Sequence, residues 1–240
     1  MIELRRYGNE ADWIKAVADD FADALARIGA GAPPAVGRPS APRLCLAGGA
    51  TPEPAYRAMA PLLGAWLAED AARSALLVPG DERDLPPGDE LRNDRMIERA
   101  WAGPLARGRA RLMRWGHGGA EPAAMEAALA AEFGQAAGPA GAGPAFELCY
   151  LGLGADGHTA GLFPGAFDRG ARASAIRTRA PAYPYERLSL SARVLSSALA
   201  VRFIARAAGK EEAIARLAAA DPACPAVMAA GAVAVAFILG

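Results

Sequence analysis

The sequence is short of the residues most often given chemical work. It holds two histidines, His117 and His158, and two lysines, Lys15 and Lys210. Its three cysteines, Cys45, Cys149 and Cys224, are odd in number and far apart, so no CxxC pair with zinc-like spacing exists. Cys45 and Cys149 sit in apolar runs, where a free thiol behaves as a small buried hydrophobe. A reducing, cytoplasmic setting is the expectation. Charge of one sign is lacking too, because 26 Lys plus Arg balance 26 Asp plus Glu. That balance gives no broad field for a nucleic acid or an anionic membrane, and neither partner is expected. The N-terminal MIELRRYGNEADW has no apolar core of the signal-peptide type, and AVAVAFIL near the C-terminus is too short to span a bilayer.

What is present is a regular alternation of apolar patterns. Trp13, Val17, Phe21, Leu25 and Ile28 recur at helical spacing and predict an amphipathic helix over 10–28. The glycine- and proline-rich GAGAPPAVGRPSAP (29–42) predicts a loop, and AAGPAGAGPA (136–145) a flexible connector. Short apolar runs predict strands at 43–47, 74–79 and 146–153, with a weaker one at 111–115 (RLMRW). SAIRT, RLSLS, VRFIAR and the terminal AVAVAFI read as further strands. Helices are predicted over about 52–69, 92–101, 121–133 and 209–219. No repeat or shift of composition marks a boundary, so one domain over 1–240 is expected. Strands alternating with helices predict a mostly parallel sheet flanked by helices on both faces, in which ligands sit beyond the carboxyl ends of the strands.

Three post-strand loops stand out. In LAGGATPEP (46–54), Gly48 and Gly49 allow a sharp turn and close backbone approach, Thr51 suits an N-cap and Pro52 the first helical turn. Such a helix start suits a phosphate, although a plain strand-to-helix turn uses the same residues. In PGDERDLPPGDELRND (79–94), at least one of Asp81, Glu82 and Arg83 should face the crevice, and the planar fork of Arg83 suits phosphate. Spacing alone favours a solvated turn with a local ion pair. In LGLGADGHTAGLFPG (151–165), His158 is a side chain able to take and return a proton near neutrality. Asp156 either orients that imidazole or N-caps a short helix through HTAGLF. His117 reads as an ordinary loop residue. Lys210 opens a helix, where a cation is disfavoured unless an anion lies nearby or the side chain snorkels outward.

These segments resemble the 6-phosphogluconolactonase family. LGLGADGHTAGLFPG is similar to its G-x-G-x-D-G-H-T-A-S-L-F-P-G signature, LAGGATPEP to its S-G-G-S-T-P segment, and GDERDLP with Asn93 to its D-E-R-x-V-P…S-N block. RLSLS with GKEEAI is similar to its R-I-T-L-T…G-x-x-K-A region and aligns Arg187 and Lys210 with family positions. The resemblance implies a Rossmann-like α/β fold shared with glucosamine-6-phosphate deaminases, ribose-5-phosphate isomerase and coenzyme A transferases. It implies hydrolysis of 6-phospho-D-glucono-1,5-lactone in the oxidative pentose phosphate pathway, with no metal or cofactor and a monomer as the working expectation. Within that reading His158 is the general base, with Asp156 beside it. Gly48, Gly49, Thr51, Asp81, Arg83, Asn93, Arg187 and Lys210 bind the phosphorylated sugar lactone.

The chain departs from the family pattern at several positions. Ala47, Ala50 and Gly161 stand where serine is usual, Arg92 replaces the serine before Asn93, and Ala207 replaces a glycine. Two rivals follow from the same motifs: a glucosamine-6-phosphate deaminase-like aldose–ketose isomerase, and a sugar-phosphate-binding homologue without activity. Arg83 and LFPG favour the lactonase over the isomerase, which resembles D-E-Y in the second loop.

Overall fold

The computed structural model describes residues 2–30, 41–119, 121–133, 146–179 and 182–240. Much of the predicted 29–42 loop and the 136–145 connector lie outside them. In chain order the elements are β1 (Ile2–Tyr7), α1 (Glu10–Gly29), β2 (Arg43–Leu46), α2 (Glu53–Glu69), β3 (Ala75–Pro79), β4 (Asp81–Arg83), α3 (Asn93–Ala100) and α4 (Ala102–Ala106). There follow β5 (Ala110–Leu112), α5 (Glu121–Phe133), β6 (Leu148–Leu151), β7 (Ala175–Thr178), β8 (Arg187–Leu190), α6 (Ala192–Ser196), β9 (Ala200–Arg206), α7 (Glu211–Ala218), α8 (Pro225–Ala229) and β10 (Ala234–Leu239).

Seven strands form one sheet in the order β1-β10-β9-β6-β2-β3-β5, every neighbouring pair parallel. Both faces are covered, as the unbroken apolar strands predicted. Alternation divides the strands between two cores: Leu44 and Leu46 of β2 face the core that holds Trp13, Phe21 and Tyr56. Cys45 of the same strand faces the core that holds Phe146, Phe203 and Leu162. Helix α1 starts at Asn9, whose side chain accepts the Asp12 amide at 2.9 Å. It locks onto the sheet through Trp13, which donates its indole N–H to the Phe237 carbonyl at 3.0 Å. Among the described residues, no helix is long and apolar enough to cross a membrane.

The structure corrects several expectations. SAIRT and RLSLS form strands but leave the parallel sheet; β7 and β8 pair antiparallel with β4 in a separate three-stranded sheet. Asp-Glu-Arg is therefore strand β4 rather than a solvated turn, with Glu82 wholly buried. RLMRW contributes to β5 only as far as Leu112, and Trp115 instead buries its ring and donates Nε1–H to the Pro79 carbonyl at 2.9 Å. Thr51 is not an N-cap, since α2 begins after Pro52 with no side-chain capping bond. Residues after Asp156 form turns and a Thr159–Leu162 bridge rather than a short helix.

Candidate active site

The chain leaves β2 toward β3 and β5 but leaves β6 toward β9, β10 and β1, so the loops after these neighbouring strands diverge. Open α/β sheets take ligands at such a point. Here the divergence opens a cavity of about 360 Å³. Gly48, Gly49 and Thr51 come from the end of β2, Asp81 and Arg83 from β4, His158 from the loop after β6, and Lys210 from the turn after β9. Arg187 of β8 and Asn93 of α3 complete the wall. Every sequence-expected site residue thus lines the cavity except Asp156, which stands behind His158.

Close packing explains the glycines. A Cβ on Gly48 would lie 1.9 Å from Asn93 Oδ1, and Gly49 has φ +90°, so neither position accepts an ordinary side chain. Asn93 in turn donates to the Asp81 carbonyl at 2.8 Å and to Asp81 Oδ1 at 3.1 Å.

Three cations line the cavity. Arg83 and Arg187 are directly opposite across the β4–β8 pair. Arg83 donates to Asn93 Oδ1 at 3.1 Å and to the Leu91 carbonyl; burial and then the nearby Arg187 charge lower its pKa. Arg187 lies 3.8 Å from Asp81 Oδ2, and its buried Nε has no partner among the described residues. Lys210 donates to the Leu153 carbonyl at 2.6 Å, and burial lowers its pKa. Among the described residues, Asp81 is the sole carboxylate that lines the cavity beside these three cations, so the cavity suits an anion with several acceptor oxygens.

The same cavity holds an imidazole backed by a carboxylate. Asp156 Oδ1 accepts the His158 amide at 3.0 Å and lies 2.6 Å from His158 Nδ1. A carboxylate held at that distance accepts the Nδ1 proton, which leaves Nε2 with its lone pair. Burial works against the charge of Asp156, but the His158 amide and imidazole outweigh it and lower its pKa. The ring occupies space that only Gly154 allows, since a Cβ there would fall 2.0 Å from Nδ1. Behind the turn, the Gly157 carbonyl accepts the Ala226 amide at 3.1 Å, which ties the turn to α8.

Three features escaped sequence reasoning. Tyr183 places its hydroxyl 3.1 Å from His158 Nδ1 and packs its ring on His158 and Phe163. It lies outside any strand or helix, and AYPYE carries no local signal for such a role. Glu82 accepts the Asn93 and Asp94 amides at 2.7 and 2.8 Å, so it anchors the N-terminus of α3 beneath the cavity. Arg92 is almost wholly buried and binds Asp94 at 3.0 Å together with the Leu85 and Trp115 carbonyls. This departure from the family pattern thus ties three segments together. The departure at Gly161 also has a cause, because a Cβ there would lie 2.7 Å from that of Ser189. The Gly161 amide donates to the Ser189 hydroxyl instead, at 3.0 Å.

His117 lies outside the cavity wall. The three cysteines are buried free thiols. Among the described residues, no group of three or more His, Cys, Asp or Glu side chains is placed to hold a metal ion.

Residues 9–236 match the profile of the family described as glucosamine-6-phosphate isomerases/6-phosphogluconolactonase. A 6-phosphogluconolactonase of Synechocystis sp. is 32% identical over 187 residues, covering 75% of this chain and 73% of that protein. The crystal structure of a 6-phosphogluconolactonase from Leishmania guyanensis superposes with a TM-score of 0.79 at 22% identity, covering 100% of this chain and 96% of that one. The 6-phosphogluconolactonase structure from Trypanosoma brucei gives 0.77 at 18% identity, covering 100% and 96%. At those identities the two structures establish the shared fold.

Proposed function

The chain belongs to the glucosamine-6-phosphate isomerase/6-phosphogluconolactonase family, and from that premise we propose that it hydrolyses 6-phospho-D-glucono-1,5-lactone to 6-phospho-D-gluconate, with His158 as the general base. The observation that carries this reading is the pairing of His158 Nδ1 with Asp156 at 2.6 Å, in a cavity also lined by Arg83, Arg187 and Lys210. A phosphorylated lactone needs both ends: a cationic seat for its phosphate and a proton acceptor near its ester carbon. The Synechocystis relative and the Arg83-bearing second loop support a lactone over an aminosugar as substrate.

The mechanism follows from that arrangement. Arg83, Arg187 and Lys210 bind the phosphate, with the Gly48, Gly49 and Thr51 loop beside it and Asp81 and Asn93 setting the arginines. A fixed phosphate holds the lactone carbonyl for attack. His158 Nε2 takes a proton from water as the oxygen adds to the carbonyl carbon. The imidazolium that forms shares its Nδ1–H with Asp156, whose negative charge stabilises it. Collapse of the tetrahedral species breaks the ring C–O bond, and the imidazolium returns the proton to the departing oxygen. General-base assistance of this kind is worth roughly 10²–10⁴-fold. We place the reaction in the cytoplasm, in keeping with the free thiols.

The test is an initial-rate assay of lactone opening against the spontaneous reaction, with glucosamine 6-phosphate as the control substrate. Acceleration confined to the lactone is the expected result. Conversion of the aminosugar with no effect on the lactone would transfer the site to the isomerase branch of the family.

A further inference from the structure

The geometry around His158 assigns a role to a residue outside every motif named above. We infer that Tyr183 is a positioning residue for His158: with Asp156 it secures the inward edge of the imidazole, so that Nε2 is presented to the cavity. The inference rests on the proposed use of His158 as a base.

Three contacts meet on the ring. Asp156 Oδ1 lies 2.6 Å and Tyr183 Oη 3.1 Å from the same nitrogen, Nδ1. The Phe163 ring packs against the imidazole with centroids 4.9 Å apart, and Tyr183 closes the trio at 5.1 Å from His158 and 4.7 Å from Phe163. The two oxygens have different hydrogen-bonding capacities. An ionised carboxylate can only accept, whereas a phenol can accept or donate. With Asp156 at the shorter distance, Nδ1 carries the proton and Tyr183 meets it through an oxygen lone pair. A phenol that donated to Nδ1 would instead leave the proton on Nε2, a tautomer unable to act as a base toward water.

Charged groups stand around this trio. Asp156 stands on the same turn as His158, and Arg216 of α7 reaches the Asp156 carbonyl at 3.5 Å. Arg187 of β8 and Lys210 lie on the cavity wall with His158 and Tyr183. Tyr183 is held neutral, since burial and the Asp156 charge both raise its pKa.

The test uses the chain's poverty in histidine. With two histidines, the imidazole NMR spectrum contains two residues, and His117→Gln assigns them. In the wild type near neutral pH, the ¹⁵N shifts of His158 are expected to show a protonated Nδ1 and a bare Nε2. Tyr183→Phe keeps the ring and removes the oxygen. It should move the His158 titration midpoint and the acid limb of kcat/KM to lower pH. It should also cut kcat by about 2- to 10-fold, the worth of one hydrogen bond, with KM nearly unchanged. Tyr183→Ala should cut kcat further because the ring contact is lost as well. An unaltered midpoint and pH profile in Tyr183→Phe would overturn the inference, as would a midpoint moved upward. A wild-type spectrum showing the proton on Nε2 would overturn it without any variant. Failure of the wild type to open the lactone would remove the functional reading while leaving the NMR result to decide the role of Tyr183.

Discussion

A methyl group on Gly154 would lie 2.0 Å from His158 Nδ1, so the smallest possible side chain at that position competes with the imidazole for space. Gly154→Ala is expected to displace the ring from Asp156 and lower kcat by roughly 10²-fold, the lower end of general-base assistance. A circular dichroism spectrum should show the fold unchanged, and an unaffected kcat would mean that the ring is not fixed by this packing. Among the cations that line the cavity, Lys210→Ala and Arg83→Ala should raise KM far more than they alter kcat. Because burial lowers the Lys210 pKa, its ammonium is lost at lower pH than for an ordinary lysine. KM should therefore climb as pH rises toward the alkaline range, and Lys210→Arg should flatten that climb. The place of His158 at the cavity was legible because it follows the clear apolar strand β6, beyond whose carboxyl end a ligand is expected. Tyr183 was not, because its partner lies 25 positions away across irregular chain.

Among the elements, β4 shows where pattern reading fails and why. Three residues are too few for an alternation to be read, and Asp-Glu-Arg looks solvated until the antiparallel pairing with β8 is known. The buried Glu82 is the keystone of that element. Its Oε1 accepts the amides of Arg83 at 2.8 Å and Asn93 at 2.7 Å, while Oε2 accepts that of Asp94 at 2.8 Å. Glutamine supplies one such oxygen and sets an N–H₂ against the remaining amide, so Glu82→Gln is expected to cost about 1–3 kcal/mol of stability. Burial pushes the Glu82 carboxyl from its ordinary 4.5 up to about 7, although the amides oppose the change. Between those values the folded chain holds a proton that the unfolded chain has released. The Glu82 contribution therefore favours folding below that window and declines as pH rises through it. Thermal melts of the wild type and Glu82→Gln across pH 4.5 to 7 check this. The wild type should lose more Tm than the variant over that range, and parallel curves would contradict the assignment.

For the molecule as a whole, the parallel sheet was legible because β2, β3, β6, β9 and β10 are almost uniformly apolar, as strands buried on both faces must be. Strand β1 was not, since IELRRY is half-exposed and charged at the sheet edge and owes its conformation to pairing with β10 at the far end of the chain. Nor could β7 and β8 be told from members of the main sheet, because apolar content says nothing about strand direction. The first helix is joined to the last strand by Trp13 over Phe237, so Trp13→Ala should cost about 3–5 kcal/mol and lower Tm. KM should be unaltered, because Trp13 is not among the residues that line the cavity.

The central claim is that Arg83, Arg187 and Lys210 bind the phosphate while His158 performs the proton transfer. The most direct test measures lactone hydrolysis and 6-phosphogluconate binding side by side in the wild type and His158→Ala. The account predicts that the variant loses the rate acceleration by roughly 10²–10⁴-fold while its Kd for 6-phosphogluconate stays nearly unchanged. Wild-type hydrolysis rates in His158→Ala would contradict it.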